Sequence, residues 1–347
     1  MAAALKVIQP GLQTTVQDLG RIGHQKLGIP VSGALDTTAL RAANIVVGNA
    51  PDVAGLEMVM TGPTLEVVAE SVRVAVAGGS TELQILVEGV EPRRIGPLQS
   101  TRLVRGERLR IATVTGSAVA YLAIAGGLDI APFLGSRSTY VRGGFGGLDG
   151  RALREGDTLP LGTPNAAERP EMRLTGLPLL PLTSVRLVLG PQDDEFTAAA
   201  LATLTGTEYT VTREADRMGL RLDGARLDHT KGHNIVSDGI APGAIQVPGN
   251  GLPIVLLADR QSTGGYPKIA TVISADLPGL GRASPGARLR FLAVSVAAAE
   301  AARRQLEAGI KEMARRLEPV RSSEPDLDRL LSANLISGVI DAEDPAA

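Results

Sequence analysis

The sequence predicts a mainly β protein made of two β-rich units and a C-terminal helix. Short apolar runs rich in β-branched residues recur between Gly and Pro breaks, a pattern typical of strands. A Pro-rich, aperiodic stretch at 160–182 separates two sets of such runs. After Val296 the composition changes to the Ala, Leu, Glu and Arg of a strong helix former. We therefore predict units at 1–175 and 176–295, followed by a helix and tail at 296–347.

Composition limits the classes of function. The 347 residues are 44% apolar with a formal net charge of −2, typical of a folded soluble chain long enough for two cores. This near-neutral charge gives no electrostatic reason to expect a nucleic-acid or membrane partner. The absence of Cys excludes disulfides, thiolate zinc sites and a thiol nucleophile, and three His leave little for a His-rich metal site. Neither a signal peptide nor a stretch of roughly 18 apolar residues is visible, so a cytoplasmic location is predicted.

The clearest helix in the first unit is TTALRAANIVV. Asp36 is a good N-cap and Gly48 can end the helix. Helical spacing places Asn44 on the same face as Leu40 and Val47, so a polar side chain interrupts an apolar stripe. Two interpretations stay open: the Asn44 amide bonds a neighbouring backbone group, or it faces a ligand.

The segment from 64 to 125 predicts successive strands with the sequences TLEVVAE, VRVAVAG, LQILVEG, ERLRIATV and SAVAYLAIAGG. A long Gly-, Ser- and Arg-rich loop follows them. Such loops can cradle phosphate, but no G-x-x-x-x-G-K-[ST] motif is present. A structural loop is therefore the favoured interpretation.

Two further helices are predicted in the second half. The run PQDDEFTAAALATL indicates a helix capped by Asp193 or Asp194. The C-terminal helix carries an apolar face suited to packing on the body or on a partner, formed by Leu306, Ile310, Met313 and Leu317. The segment DLDRLLSANLISGVI beyond it is interpreted as a small terminal segment that docks on the protein.

The stretch 216–270 is the main candidate for a binding site. Its short predicted strands alternate with Gly-rich loops that carry charged and amide side chains, and loops on a rigid scaffold commonly form sites. Asp216, Arg217 and Arg221 could clamp a carboxylate, bicarbonate or phosphate. The alternative is a surface ion pair at a strand edge, which contributes little.

A second cluster in this stretch lies where an apolar run enters a Gly-Gly turn. Asp259 and Arg260 follow the run PIVLLA and precede Gly264 and Gly265. A rigid strand would hold these side chains for ligand binding, but a turn-capping role explains them equally well. No Ser-His-Asp order, H-E-x-x-H, dinucleotide fingerprint or nucleophile elbow is present, so common hydrolase and dehydrogenase functions lack support.

Long motifs along the chain resemble one protein family. The blocks are TTVQDLGRIGHQKLGIPVSGALDTTALRAANIVVGN, YLAIAGGLDIAPFLGSRSTY, DRMGLRLDG and SDGIAPGAIQVPGNGLPIVLLADRQSTGGYPKIATVISADLPGLG. In this order they are similar to the KipA / allophanate hydrolase subunit 2 family, also described as the biotin-dependent carboxyltransferase domain, subdomains C and D. The resemblance covers roughly residues 5–295 and leaves out the tail.

The resemblance implies a cyclophilin-like β-barrel that works beside a KipI-like subunit 1. Stand-alone bacterial pairs of this kind are the B and C subunits of the ATP-dependent 5-oxoprolinase, which also has a LamB/YcsF-like A subunit. This chain would then be the C subunit, inactive alone, in a complex that opens 5-oxo-L-proline to L-glutamate. Arginine, lysine and backbone N–H groups would stabilise the charge that develops when ATP activates the lactam.

The resemblance also implies two alternative functions. In a urea carboxylase, Asn44 and Asp216 would orient urea and the biotin ring while arginines hold the transferred carboxyl group. In the other alternative, the protein is a KipA-type regulator that binds a KipI-like kinase inhibitor without catalysis. Across these alternatives the candidate catalytic residues are Asn44, Asp216, Arg217 and Arg221. The candidate substrate- or ATP-binding residues are Asp36, Gln246, Asp259, Arg260, Gly264, Gly265 and Lys268, and no metal site is predicted.

Overall fold

Two packed β-sheets form the first half of the chain. The structure is a computed structural model that describes residues 3–177, 179 and 182–320. The predicted terminal segment at 321–347 lies outside the described residues. The strands of the first half are β1 (Ala4–Gln9), β2 (Gln13–Gln17), β3 (Gly55–Val59), β4 (Thr64–Val67), β5 (Ser71–Ala77), β6 (Leu83–Leu86), β7 (Arg93–Ile95), β8 (Ser100–Val104), β9 (Arg108–Arg110), β10 (Val119–Ile124) and β11 (Thr158–Pro160).

These strands build a six-stranded sheet of order β11-β1-β4-β9-β6-β7 and a five-stranded sheet of order β2-β3-β10-β5-β8. The side chains between the sheets form one buried apolar cluster, which includes Val74 and Val76 of β5. The alternate residues Ala75 and Ala77 point to the opposite face of the same strand. The five-stranded sheet is thus covered on both faces, which explains why every residue of β10 is buried.

Helix α1 (Thr37–Val47) lies on the outer face of the five-stranded sheet. The Asp36 carboxylate accepts hydrogen bonds from the backbone N–H groups of Thr38 and Ala39, both at 3.0 Å. Gly48 ends the helix in the left-handed conformation, with a φ of 80°. The predicted helix and both of its predicted caps are confirmed. Alanines on the sheet let α1 approach closely, which fixes the position of its N-terminus.

The second half forms a closed seven-stranded barrel, with strand order β13-β20-β17-β18-β15-β14-β21. The strands of this half are β12 (Met172–Leu174), β13 (Ser184–Leu189), β14 (Glu208–Val211), β15 (Gly219–Asp223), β16 (Asp238–Gly239), β17 (Ala244–Gln246), β18 (Ile254–Leu256), β19 (Thr263–Gly264), β20 (Lys268–Val272), β21 (Arg288–Ala293) and β22 (Leu317–Pro319). Inward-facing side chains of the barrel strands form a second core. The prediction of a mainly β fold with a barrel is confirmed.

Helix α2 (Ala198–Gly206) covers part of this barrel, and α3 (Leu277–Leu280) follows β20. The Thr197 hydroxyl caps α2 by accepting from the Ala200 N–H at 3.1 Å. The prediction that Asp193 or Asp194 caps this helix is wrong. Those residues form a separate 3-10 turn, because the buried Phe196 adopts an extended backbone that interrupts the helix.

The chain after the barrel returns to the first half. Helix α4 (Val296–Met313) buries Ile310 and Met313 in the same apolar cluster as α1. Arg41 of α1 and Glu307 of α4 form an ion pair at 3.0 Å, and β22 then pairs with β12. Three residues of the predicted apolar face, Leu306, Ile310 and Met313, lie on this helix and pack on the first half, whereas the fourth, Leu317, joins the same cluster from β22 beyond the end of the helix. The predicted unit boundaries at 175 and 295 stay predictions. No helix among the described residues is long and apolar enough to cross a membrane.

Candidate functional site

A cleft of about 760 Å³ lies on the outer side of the barrel. Residues of β15, β17 and β18 and of the turn that precedes β15 line most of it. Arg142, in a 3-10 turn of the first half, completes the lining, so the cleft joins both halves of the chain. Three of the predicted site residues lie here together, namely Asp216, Arg221 and Gln246.

A pair of side-chain amides lines the cleft, with Gln246 buried and Gln261 partly buried. Gln261 donates to the Gln246 carboxamide oxygen at 3.2 Å, and Gln246 donates to the Tyr266 carbonyl at 3.3 Å. Gly264 lies directly against this pair, because a Cβ there would come within 2.7 Å of the Gln246 amide nitrogen. A carboxamide presents both a donor and an acceptor, so this pair suits a ligand that carries a planar amide.

Exposed ion pairs surround the amide pair. Arg142 pairs with Asp216 at 3.0 Å, and the two side chains are 60% and 49% exposed. Arg221 lies 3.6 Å from Glu214, with both side chains more than half exposed. Pairs of this kind are held weakly because water screens them. Asp216 also accepts hydrogen bonds from two backbone N–H groups of its own turn, at 2.8 and 3.2 Å.

Lys268 is buried on the barrel strand next to Gln246, with which it is paired in register. Its ammonium donates to Asp238 at 2.9 Å, and Gln192 donates to the same carboxylate at 3.1 Å. The hydrogen bond from Lys268 is the main reason that the pKa of Asp238 lies below its ordinary range. Lys268 therefore holds strand β16, which pairs with β19, against the barrel.

Arg260 is a buried cation without a carboxylate partner among the ion pairs of the described residues. It donates to the backbone carbonyls of Ile240 at 3.1 Å and of Leu257 at 3.3 Å. Burial lowers its pKa to about 10. Even so the guanidinium remains charged at neutral pH. Backbone carbonyls thus hold the Arg260 guanidinium inside the barrel half, and Arg260 does not line the cleft.

The side chain of Arg217 points away from the cleft that Asp216 lines, and it is buried between the two halves. Its guanidinium donates twice to Asp259, at 2.8 and 3.1 Å, to the Gly33 carbonyl at 2.7 Å, and to Glu57 of β3. Burial alone would lower the pKa of Arg217, but the charges of Glu57 and Asp259 outweigh burial and hold it above its ordinary value. All of these contacts are internal, and they fix the barrel to the first half.

Asp36 extends the same buried network. Its carboxylate accepts from Arg282 at 2.5 Å in addition to capping α1. The Tyr121 hydroxyl donates to Glu57 at 2.5 Å and accepts from the Asp36 N–H at 2.8 Å. Burial is the largest of the causes that raise the pKa of Tyr121 well above 10. The interface therefore contains alternating acids and bases that are excluded from water.

Asn44 lies apart from the cleft on the buried face of α1. It donates to the Val53 carbonyl at 2.6 Å and accepts from Asn49 at 2.9 Å. These are the contacts expected of an amide that bonds the neighbouring backbone. Sequence reasoning also left Arg142 and Glu57 out of the site. A signal existed for Glu57, which is the one charged residue of the apolar strand GLEMV, whereas nothing distinguishes Arg142 in its Gly-rich loop.

The described residues contain no group of three or more His, Asp or Glu side chains arranged to hold a metal ion.

A family model described as "Carboxyltransferase domain, subdomain A and B" matches residues 27–293, most of the chain. The chain belongs to this family. The carboxyltransferase family predicted from the motifs is thereby confirmed. The description of the model names subdomains A and B, where the motif resemblance named C and D.

Proteins similar to this chain include a 5-oxoprolinase subunit and enzymes named for urea. The 5-oxoprolinase C subunit of Escherichia coli is 37% identical over 314 residues, which cover 90% of this chain and 98% of the relative. The urea amidolyase of Lachancea kluyveri is 31% identical, with 89% of this chain but only 18% of that protein covered. The solved urea carboxylase of Kluyveromyces lactis superposes with a TM-score of 0.82 at 29% identity, over 94% of this chain and 30% of that one.

Proposed function

We propose that this chain is the C subunit of an ATP-dependent 5-oxoprolinase, which converts 5-oxo-L-proline to L-glutamate. In this proposal it acts with a KipI-like subunit 1 and a LamB/YcsF-like A subunit, and it is inactive alone. The observation that carries the proposal is sequence similarity: the chain is 37% identical to a 5-oxoprolinase C subunit over 98% of that protein, against 31% identical to a urea amidolyase over 18% of that protein. The higher identity favours the 5-oxoprolinase function over carboxyl transfer.

The cleft supports the same proposal chemically. 5-Oxo-L-proline is a five-membered lactam that carries a carboxylate. The Gln246–Gln261 pair offers a donor and an acceptor to the lactam amide, while arginines around it offer charge to the carboxylate. Transfer of the γ-phosphoryl group of ATP to the lactam oxygen activates the lactam carbonyl carbon for attack by water. Negative charge develops on the phosphoryl group during this transfer. In this proposal Arg221 of the cleft, and the backbone at Gly264 that lies against the Gln246 amide, stabilise that charge.

ATP is a substrate of the complex in this proposal. We assign the nucleotide to a site completed by a partner protein of the complex. The prediction that follows is a strict dependence of turnover on all three proteins.

Reconstitution tests the proposal. The purified chain is mixed with its cognate subunit 1 and A subunit, ATP and 5-oxo-L-proline, and glutamate release is followed while each component is omitted in turn. Glutamate that forms only when all three proteins and ATP are present would support the proposal. A well-formed complex that hydrolyses no 5-oxo-L-proline would refute it.

Carboxyl transfer is the second candidate, because the fold superposes on a urea carboxylase with a TM-score of 0.82. Urea also presents a planar amide to the Gln246–Gln261 pair, and the arginines around the pair would then hold the transferred carboxyl group. An assay with carboxybiotin and urea, run on the same complex, separates the two candidates. Carboxylation of urea without glutamate release would favour this second function.

A further inference from the structure

We propose that Arg142, supplied to the barrel by a loop of the first half, is the carboxylate-binding residue of the cleft. The ligand it selects is a small molecule that combines a planar amide with a carboxylate, bound by releasing Arg142 from Asp216. This inference rests on the proposed function for its choice of ligand. It assigns Arg142, a residue of the Gly-rich loop that belongs to no recognised motif, to substrate recognition.

The partly buried carboxylate of Asp18 fixes the loop that carries Arg142. Asp18 accepts from the hydroxyl of Ser136 at 2.7 Å, from the hydroxyl of Ser138 at 2.5 Å and from the backbone N–H of Arg137 at 2.6 Å. Three successive loop residues are therefore fixed by one side chain. A loop with this many charge-assisted hydrogen bonds has a defined course before any ligand arrives.

Arg21 fixes the same loop from a second side. Its buried guanidinium lies 5.0 Å from the ring of Phe145 and 6.0 Å from that of Phe133, within the range of cation–π attraction. It also donates to the Ser138 carbonyl at 2.5 Å. Gly146 is required here, because a Cβ would lie 2.1 Å from that carbonyl oxygen and 2.6 Å from Arg21. Positions 136–138 and 145 are thus anchored on either side of Arg142.

Arg142, at the tip of the loop, can by contrast exchange Asp216 for another carboxylate. Arg142 is 60% exposed, and its one carboxylate partner among the described residues is Asp216. The Asp216 oxygen that faces Arg142 is Oδ2, whereas Oδ1 accepts the N–H groups of Met218 and Gly219. Asp216 therefore keeps its turn contacts when Arg142 leaves. A ligand carboxylate would replace one acid with another at little cost.

The rest of the cleft defines the second half of the ligand. The Gln246–Gln261 pair faces the amide, and the remaining cations of the lining are Arg213 and Arg221. The lining acids besides Asp216 are Glu214, which pairs with Arg221 at 3.6 Å, and Asp223, which accepts from the Gly224 N–H at 2.9 Å. Arg142 differs from the other two lining arginines because it comes from an anchored loop across the cleft.

A matched pair of ligands tests the inference: 5-oxo-L-proline and 2-pyrrolidinone, the same lactam without the carboxylate. Binding of each to the reconstituted complex is measured without ATP by ligand-observed NMR titration, and KM and kcat for 5-oxo-L-proline are measured with ATP. The variants are Arg142→Ala, Arg142→Lys and Asp216→Asn. Arg108→Ala is the control, since Arg108 is also an exposed arginine in an ion pair, with Glu66 at 2.9 Å, but lies outside the cleft.

Arg142→Ala is expected to weaken 5-oxo-L-proline binding about tenfold or more, while 2-pyrrolidinone binding changes less than about twofold. Arg142→Lys should recover part of the loss, because it keeps the charge but not the bidentate fork. Asp216→Asn should tighten 5-oxo-L-proline binding, because it removes the competing carboxylate and retains the turn contacts. Arg108→Ala should resemble the wild type.

Equal weakening of both ligands by Arg142→Ala, no weakening of either, or no binding of 5-oxo-L-proline by the wild type would overturn the inference. Its failure is separable from that of the proposed function. Glutamate release with an unchanged KM in Arg142→Ala would refute the role of Arg142 and leave the function standing. Carboxylate-selective binding that depends on Arg142, in a complex that releases no glutamate, would support the inference and refute the proposed function.

Discussion

Replacing Arg217 with Met should destabilise the protein far more than replacing any exposed arginine of the cleft. The Arg217 guanidinium makes two hydrogen bonds to Asp259, one to the Gly33 carbonyl and one to Glu57. Removing it leaves two buried carboxylates, whose side chains are 1% and 7% exposed, without their cation. Breaking a buried pair by removing one partner costs about 3–5 kcal/mol, and Met retains most of the apolar volume. We therefore expect the free energy of unfolding to fall by about 3–5 kcal/mol.

Urea unfolding followed by circular dichroism measures this change. Arg221→Ala is the matched control, because Arg221 follows shortly after Arg217 in the chain, within β15, but is 55% exposed and 3.6 Å from Glu214. It should change the free energy of unfolding by less than about 1 kcal/mol. A loss below about 1 kcal/mol for Arg217→Met would refute the reasoning, because the two carboxylates would then have found other partners or water.

A triple variant provides a second arm for the same prediction. Glu57→Gln and Asp259→Asn, added to Arg217→Met, remove the charges that the single variant leaves unpaired. Most of the lost stability should then return, since uncharged side chains are far less costly to bury than isolated carboxylates. Failure of the triple variant to recover would show that the geometry of the interface, rather than its charge balance, holds the halves together.

Tyr121, Gly264 and Asp36 give further expected outcomes. Tyr121 stays neutral in the folded chain because burial raises its pKa well above 10, whereas it ionises near pH 10 in the unfolded chain. The free energy of unfolding should therefore fall as pH rises above about 10, by up to about 1.4 kcal/mol per pH unit. Tyr121→Phe should flatten this alkaline slope in denaturation scans. Gly264→Ala should reduce turnover of the complex by displacing the Gln246 amide, whereas Gly265→Ala, whose Cβ would meet nothing closer than 3.4 Å, should behave as wild type; equal turnover in both variants would contradict the role of the amide pair. Asp36→Ala should lower the unfolding free energy by about 3 kcal/mol or more, since it removes both a helix cap and a buried ion-pair partner, while Asp36→Asn, which keeps the cap, should lose less on thermal melting.

The parts of the fold that the sequence predicts are those set by local chemistry. Helix α1 begins at its Asp cap and ends at Gly48 because both residues act on backbone groups within four positions. Strands β4, β5, β6, β9 and β10 coincide with the apolar runs. Strand β7, with the sequence RRI, escapes prediction because two of its three residues are exposed and charged. The closure of the barrel through β13 and β21 depends on partners that no local pattern reveals.

The site is harder to predict because adjacent residues serve different surfaces. Asp216 lies in the cleft, whereas Arg217 turns inward to Glu57, which is 160 positions away in the chain. Residue type predicts a clamp of charged groups, but it cannot assign neighbours to opposite sides of one turn. Arg142 escapes prediction for the same reason, since its importance comes only from the loop that carries it across to the barrel.

The return of helix α4 to the first half sets the order in which the protein can be completed during synthesis. The face of α1 that receives Ile310 and Met313 is covered by residues made after the entire barrel. The N-terminal half therefore leaves the ribosome with an uncovered apolar face, which stays uncovered until the barrel has been translated. The barrel is thus an insertion between two segments of the chain that pack together, α1 and α4. Truncating the chain directly after the barrel would remove α4 and leave the apolar face of α1 exposed.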